Sequence, residues 1–209
     1  MAISNYSELQ TAVANWLDRD DLAARIPEFI VLCEARFNRS LRIRAMETLD
    51  ISVDTVGGTS TVALPTGYVQ MRDISLITSP ITQLQYVTPE IMNRLNAGSL
   101  TGKPETYTII ANSILFGPTP DSAYDISMLY YKTFDPLADS APTNWVITNA
   151  PDVYLYGTLL EAEPFLMNDQ RVQLWATALT QSITTLQEQD NKDRHSGSAL
   201  RVMNTGGYY

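Results

Sequence analysis

The sequence is short of the side chains that most chemistry needs. It has one cysteine and one histidine in 209 residues. Zinc sites draw several Cys or His at ligand spacing, and one of each cannot supply them. No internal disulfide is possible, so the chain is expected in a reducing or redox-indifferent compartment. Cys33 falls in an apolar helical pattern and is expected to be a buried structural thiol. His195, the one histidine, lies in a polar C-terminal stretch far from any catalytic partner. Gly57-Gly58 and Gly206-Gly207 lack the spacing and the following helix of a phosphate loop. The Asp18, Asp20, Asp21 cluster lacks the Gly and closing Glu of a calcium loop, and a solvated turn is expected there. Glu161 and Glu163 stand two apart on a helix, which points them to different sides and suits a polar face better than an acid/base pair. No catalytic, cofactor or metal residue is assigned.

Positive charge is also scarce. Lys and Arg number 14 against 23 Asp and Glu, a formal net charge of −9. Affinity for nucleic acid comes mainly from cations that displace counterions at phosphates, so a general DNA binder is disfavoured. No window approaches the roughly 20 apolar residues of a membrane span, and the first residues have neither a basic region nor an apolar run. A soluble protein without an export signal is expected.

What is present is amphipathic. Residues 149–191 carry the plainest pattern. Asn149-Ala-Pro-Asp152 looks like a helix start, followed by Leu155, Leu159, Leu160, Phe165 and Leu166 at helical spacing. Pro164 should kink or end that helix. Asn168-Asp169 looks like a new cap, and Val172, Trp175, Leu179, Ile183 and Leu186 step along one face of a second helix. A link this short predicts an antiparallel hairpin, with Trp175 buried against the N-terminal helices.

At the other end, a helix capped by Ser7 carries Leu9, Val13, Trp16 and Leu17. A second spans about residues 22–42, with Ile26, Phe29, Ile30, Cys33, Phe37 and Leu41 on one face and Pro27 in its first turn. Arg36, Arg39 and Arg42, with Arg44 beyond, share the other face. They serve either as a solvated face paired to carboxylates or as a contact with an acidic subunit or DNA phosphates.

From Met46 the period becomes two. Strands are predicted through the alternating Leu49, Ile51 and Val53 and at about 61–64, 69–77, 81–87, 107–110, 114–116 and 124–132. Turns are predicted at Gly57-Gly58, Pro65-Thr-Gly67 and Gly117-Pro-Thr-Pro120, and a loop at 98–104. A short helix is capped by Thr88, with Pro89 at its first position. Tyr107, Tyr124, Tyr130 and Tyr131 are expected in sheet packing. Residues 135–148 are expected as a connector. The fold class is therefore α+β: a helical bundle from N- and C-terminal helices with an inserted β-rich lobe and an extended C-terminal tail. The divisions are 1–45, 46–135, 136–193 and 194–209.

Several stretches together resemble the head-to-tail adaptor (connector) proteins of tailed bacteriophages, especially short-tailed ones. They are Tyr6-Ser-Glu-Leu-Gln10, Ala14-Asn-Trp-Leu17, Ile26-Pro-Glu-Phe29, Tyr86-Val-Thr-Pro-Glu90, Phe116-Gly-Pro-Thr-Pro-Asp121, Tyr130-Tyr131, Thr143-Asn-Trp145, Pro151-Asp-Val-Tyr-Leu-Tyr-Gly157 and Glu161-Ala-Glu-Pro-Phe-Leu166. Their order and spacing carry the likeness. It implies a structural protein of the virion head–tail junction, made in the host cytoplasm and without enzymatic activity. It implies a self-assembled ring, usually a dodecamer, between the portal protein and the tail or nozzle proteins, through which packaged DNA passes without specific binding. The portal or subunit contact is expected on the arginine face, Arg36, Arg39, Arg42 and Arg44, and on the apolar and cationic tail residues Arg194, Leu200, Arg201, Val202, Met203, Tyr208 and Tyr209, although no family motif maps onto the tail. The tail has little apolar area of its own, so it is expected to be mobile when free and ordered by the portal or a neighbouring subunit. A tail-completion or neck protein is the alternative within this class. A DNA-binding packaging accessory using the arginine face is the alternative outside it, and a hydrolase built from scattered carboxylates is a third.

Overall fold

The computed structural model describes residues 2–19, 21–96, 100–166 and 169–194, without the side chains of residues 169 and 170. The chain divides into two compact units. One holds the chain up to Ala45 and again from Phe134 onward; the other is Met46–Thr133.

The first unit is helical. Helix α1 (Tyr6–Leu17) is capped not by Ser7 but by Asn5, whose side chain accepts the Glu8 amide at 2.9 Å. Glu8 reaches back to the Ser4 amide and hydroxyl, a reciprocal arrangement that serves two otherwise orphan donors. The helix stops where Asp18 turns left-handed, a conformation that Asp tolerates. Helix α2 (Ile26–Ser40) begins later than its periodicity suggests, because residues 21–25 form turns and Pro27 must sit in the first turn. Its predicted stripe from Ile26 to Leu41 is buried throughout.

The connector is not featureless. Asn144 caps a short helix, α4 (Trp145–Asn149), by accepting the Ile147 amide. Asn149 therefore does not cap the next helix. It closes α4, donating its side-chain amide to the Trp145 carbonyl at 2.8 Å. Helix α5 (Pro151–Leu166) begins two residues later and contains Pro164 in its last turn. Apolar residues almost surround α5, so it is buried on nearly all sides, and α1, α2, α4 and the helix that follows all pack on it. Phe165 is the exception, 55% exposed because it falls past the buried turns. Helix α6 (Asp169–Arg194) follows and packs antiparallel to α5: Glu163 meets Trp175, while Val153 lies near Ser182. The predicted cap at Asn168 falls outside the described residues. Arg194, expected in the tail, is the last residue of α6.

Close approach of α2 to α5 depends on Gly157. A Cβ there would stand 2.4 Å from Cys33 Sγ and 3.1 Å from Phe37 Cζ. The edge-on contact of Phe37 with Tyr154, 5.2 Å between centroids, lies in the same seam.

The second unit is built of strands. Strand β1 (Glu47–Asp54), β10 (Asp125–Lys132), β3 (Tyr68–Leu76) and β4 (Thr82–Gln83) form an antiparallel sheet in that order. A second sheet runs β2 (Thr61–Ala63), β8 (Ser113–Gly117), β7 (Thr106–Ile110), β5 (Gln85–Tyr86), with β5 parallel to β7. The predicted strand over 81–87 is thus two short strands that part at Leu84 and join different sheets. The predicted loop over 98–104 contains β6 (Thr101–Gly102), which pairs with β9 (Thr119–Pro120). Helix α3 (Pro89–Leu95) follows Thr88, although the Thr88 hydroxyl makes no cap bond. Ile74, Leu76, Ile114, Phe116, Ile126, Met128 and Tyr130 join residues of both sheets in one core.

Alternation misleads in β1. Its register shifts between Asp50 and Val53, and Leu49 and Ile51 are 63% and 60% exposed. Asp50 accepts both the amide and the hydroxyl of Ser52. This bulge and local bond blunt an edge strand that would otherwise offer a free ladder to another chain.

Candidate functional site

No group of three His, Cys, Asp or Glu able to hold a metal ion occurs among the described residues. No helix among them is long and apolar enough to cross a membrane. His195 lies outside them. Of the Asp18, Asp20, Asp21 cluster, Asp20 lies outside the described residues, and Arg19 grips Asp21 at 2.7 Å, so that carboxylate has a cation of its own.

A network of buried polar side chains ties the helical unit together. Glu34 accepts the Leu137 amide at 2.8 Å and the Tyr154 hydroxyl at 3.1 Å. Tyr154 in turn accepts from the Asn144 amide at 2.6 Å, and Asn144 also caps α4. Asn38 accepts the Phe134 amide. This network fixes the incoming connector on α2 and α5. Burial is the main reason that the Glu34 carboxyl titrates above the ordinary glutamate range; its two hydrogen bonds oppose the shift. Burial likewise pushes the Tyr154 phenol and the Cys33 thiol upward. Cys33 is the buried structural thiol that its position predicts.

A pH prediction follows from Glu34. A carboxyl raised on folding binds its proton more tightly in the native state. Its contribution to stability is therefore full at low pH and is lost as pH rises through its folded value. Glu34→Gln retains an acceptor for the Leu137 amide but does not titrate. Urea unfolding across the acid range should show the wild type losing stability relative to Glu34→Gln as pH climbs above the ordinary glutamate value. Parallel profiles would rule this out.

Glu163 is the residue that sequence spacing misplaces. It does not lie on a polar face. It is fully buried, accepts from Trp175 Nε1 at 2.9 Å through one oxygen, and has no partner for the other. Glu161 diverges from it and pairs with Arg36, so the two carboxylates share no site. Trp175 is buried where the hairpin meets α1: it stacks on Tyr156 at 6.1 Å and meets Trp16 edge-on at 5.5 Å.

The four arginines do not form one free face. Arg36 donates through Nε to Glu161 of α5 at 2.6 Å. Arg42 donates to the carbonyls of Asn38 and Leu41 at the end of α2, where a cation complements the helix dipole. Arg39 is exposed on α2. Arg44 stands beyond the helix, exposed, with its backbone amide held by Asp190 at 3.0 Å. Arg194 pairs with the same Asp190 at 2.9 Å. Leu200, Arg201, Val202, Met203, Tyr208 and Tyr209 lie outside the described residues. Of the tyrosines expected in sheet packing, Tyr107 and Tyr130 are buried, against Tyr86 and Tyr68 respectively.

What sequence reasoning missed is a groove beside α6. Trp145, Asn149, Leu186 and Asp193 line part of it. The one local signal was Asn144 before Trp145, a cap followed by an apolar residue. Exposed apolar side chains are numerous in both units: Val31, Leu32 and Leu174 in the helical unit, Ile81, Tyr86 and Leu100 in the β unit.

Among known proteins, no curated protein matches the chain. A family model described as SU10 adaptor protein matches residues 4–203, nearly its whole length, and bears out the resemblance to phage head-to-tail adaptors.

Proposed function

We propose that this chain, which belongs to the SU10 adaptor protein family, forms a ring between the portal and the tail of a phage virion. Family membership makes it a phage adaptor, a structural component of the virion. The finer reading is that copies of the chain extend the portal channel, retain packaged DNA without binding it specifically, and dock tail or nozzle proteins. The role is structural rather than catalytic, and a dodecamer matches the usual symmetry of such rings. The family match over residues 4–203 carries this reading. The exposed apolar side chains of α2, α6 and β1 support it, because such surfaces on an acidic protein suit contact with other subunits. A DNA-binding accessory factor is less well supported, since Arg36 is neutralised by Glu161 and Arg42 is turned onto helix carbonyls.

The test is the mass of the free chain, and of its assembly once purified portal is added. A discrete complex with many copies of this chain per portal ring is expected; no association at micromolar concentration would overturn the proposal. The arginines refine the experiment. Reversing Arg36 or Arg42 would break bonds inside the fold, whereas Arg39 and Arg44 are exposed. Arg39→Glu/Arg44→Glu should unfold within about 0.5 kcal/mol of the wild type yet weaken attachment to the portal at least tenfold. Unchanged attachment would leave these two arginines as solvated surface.

A further inference from the structure

Two helices of the first unit present outer faces that are open to solvent. The outer face of α2 carries Glu28, Val31, Leu32, Ala35 and Arg39, spaced at the three- and four-residue steps of one stripe. Val31 is 59% exposed and Leu32 50%, so the middle of the stripe is apolar and uncovered. Glu28 is paired with Arg25 of its own helix start. Arg39 stands exposed at the other end, with no ion pair among the described residues.

The outer face of α6 is of a different kind. In an acidic chain, residues 172–187 hold no charge at all. Thr177, Thr180 and Thr184 are exposed, yet each donates its hydroxyl to the carbonyl four residues back, at 2.8, 2.7 and 2.8 Å. A hydroxyl that is already bonded loses little when another surface displaces its water. Ala176, Thr177, Thr180 and Gln181 wall a shallow depression on this face. Glu188 follows it, exposed and unpaired among the described residues.

The two faces match in register. Arg39 stands eight residues beyond Val31 and seven beyond Leu32, and Glu188 stands eight beyond Thr180 and seven beyond Gln181. With the helices side by side and parallel, Arg39 meets Glu188 while Val31 and Leu32 enter the depression at Thr180 and Gln181. Ala35 then faces Thr184, small against small. The match cannot close within one molecule. On α5, Tyr154, Gly157, Glu161 and Phe165 face α2, whereas Tyr156 and Glu163 face α6. At 3.6 residues per turn these sets lie roughly 130° apart, so the outer faces of α2 and α6 look to different sides.

We propose that α2 of one copy packs parallel on α6 of the next, Val31, Leu32 and Ala35 against Thr180, Gln181 and Thr184, with Arg39 on Glu188. The occupant is a second copy because this one chain carries both halves of the match. Two different patches on different flanks make a head-to-tail contact, which passes from copy to copy instead of stopping at a pair. The inference deepens the ring assembly proposed above and rests on that reading for its purpose.

The experiment uses the full chain without portal. Leu32→Cys/Gln181→Cys is treated with a bismaleimide spanning about 10 Å, the separation of packed helices; the native Cys33 is buried. A ladder of linked dimers, trimers and higher species is expected, in at least tenfold greater yield than from either single variant. Adding Arg39→Glu should cut the ladder at least threefold, and adding Glu188→Arg as well should restore it to within twofold. No ladder at millimolar concentration would overturn the proposal. So would dimers in equal yield from either single variant, since like faces would then be meeting, or a ladder that the charge swap fails to restore. A ladder without attachment to the portal would sink the adaptor reading and leave this contact standing; attachment without a ladder would do the reverse.

Discussion

Gly157→Ala is expected to lower the unfolding free energy by about 3 kcal/mol, although alanine is the better helix former by about 1 kcal/mol. The reason is the seam between α2 and α5, where the new methyl would sit 2.4 Å from Cys33 Sγ and 3.1 Å from the Phe37 ring. Neither neighbour can swing aside, because both are buried. Either the helices separate, losing contact along the whole seam, or Cys33 and Phe37 leave their preferred rotamers. Cys33→Ala should relieve most of the clash. The double variant Cys33→Ala/Gly157→Ala should therefore be less destabilised than the sum of its single changes, by more than about 1 kcal/mol. Urea unfolding of the four proteins decides the matter. Additive costs would show that Gly157 serves some purpose other than close approach.

Replacing Trp175 should have an effect of similar size through two separable causes. Trp175→Ala removes a large buried ring that packs on Tyr156 and Trp16, and should cost about 3–5 kcal/mol. Trp175→Phe retains much of the apolar volume but deletes the indole N–H, leaving the Glu163 carboxyl without its donor. That loss alone should cost about 2 kcal/mol. Adding Glu163→Leu to Trp175→Phe removes the stranded carboxyl and should restore part of the deficit. If Trp175→Phe is neutral, the bond to Glu163 contributes nothing to stability. A cost below about 1 kcal/mol for Trp175→Ala would mean that the ring is not part of the core.

The α2 stripe and the burial of Trp175 were legible because periodicity reports a buried face directly. Gly157 was not, since a glycine within a helix reads as a weak point until its neighbour across the seam is known. Glu163 was misread for a related reason. Its donor lies on the next helix, and spacing along one helix says nothing about what crosses from another. Asn149 resembled a cap because a Pro-Asp pair follows it, but Asn144 five residues earlier carried the same signal and governs α4. In the β unit, alternation found most strands but could not show the chain changing sheets at Leu84, because both halves alternate alike. The arginines of the candidate contact were visible as a row at helical spacing. Their division into paired and exposed members depends on Glu161 and on the end of α2, neither of which that spacing reveals.

The helical unit is discontinuous in sequence, and this sets a timetable for synthesis. Glu34 and Tyr154, bonded in the finished protein, are 120 residues apart. At about 5–20 residues per second, a ribosome needs roughly 6–24 s to cover that interval. Through that time α2 has emerged with Ile26, Phe29, Ile30 and Phe37 uncovered, since α5 does not yet exist. Met46–Thr133, contiguous in sequence, can complete its own core during the wait. A nascent chain stalled once Thr133 has cleared the ribosome, with α5 still enclosed by it, should therefore carry a folded β unit and a naked α2, and chaperones that hold extended apolar segments should be caught on residues 26–41 rather than on the strands.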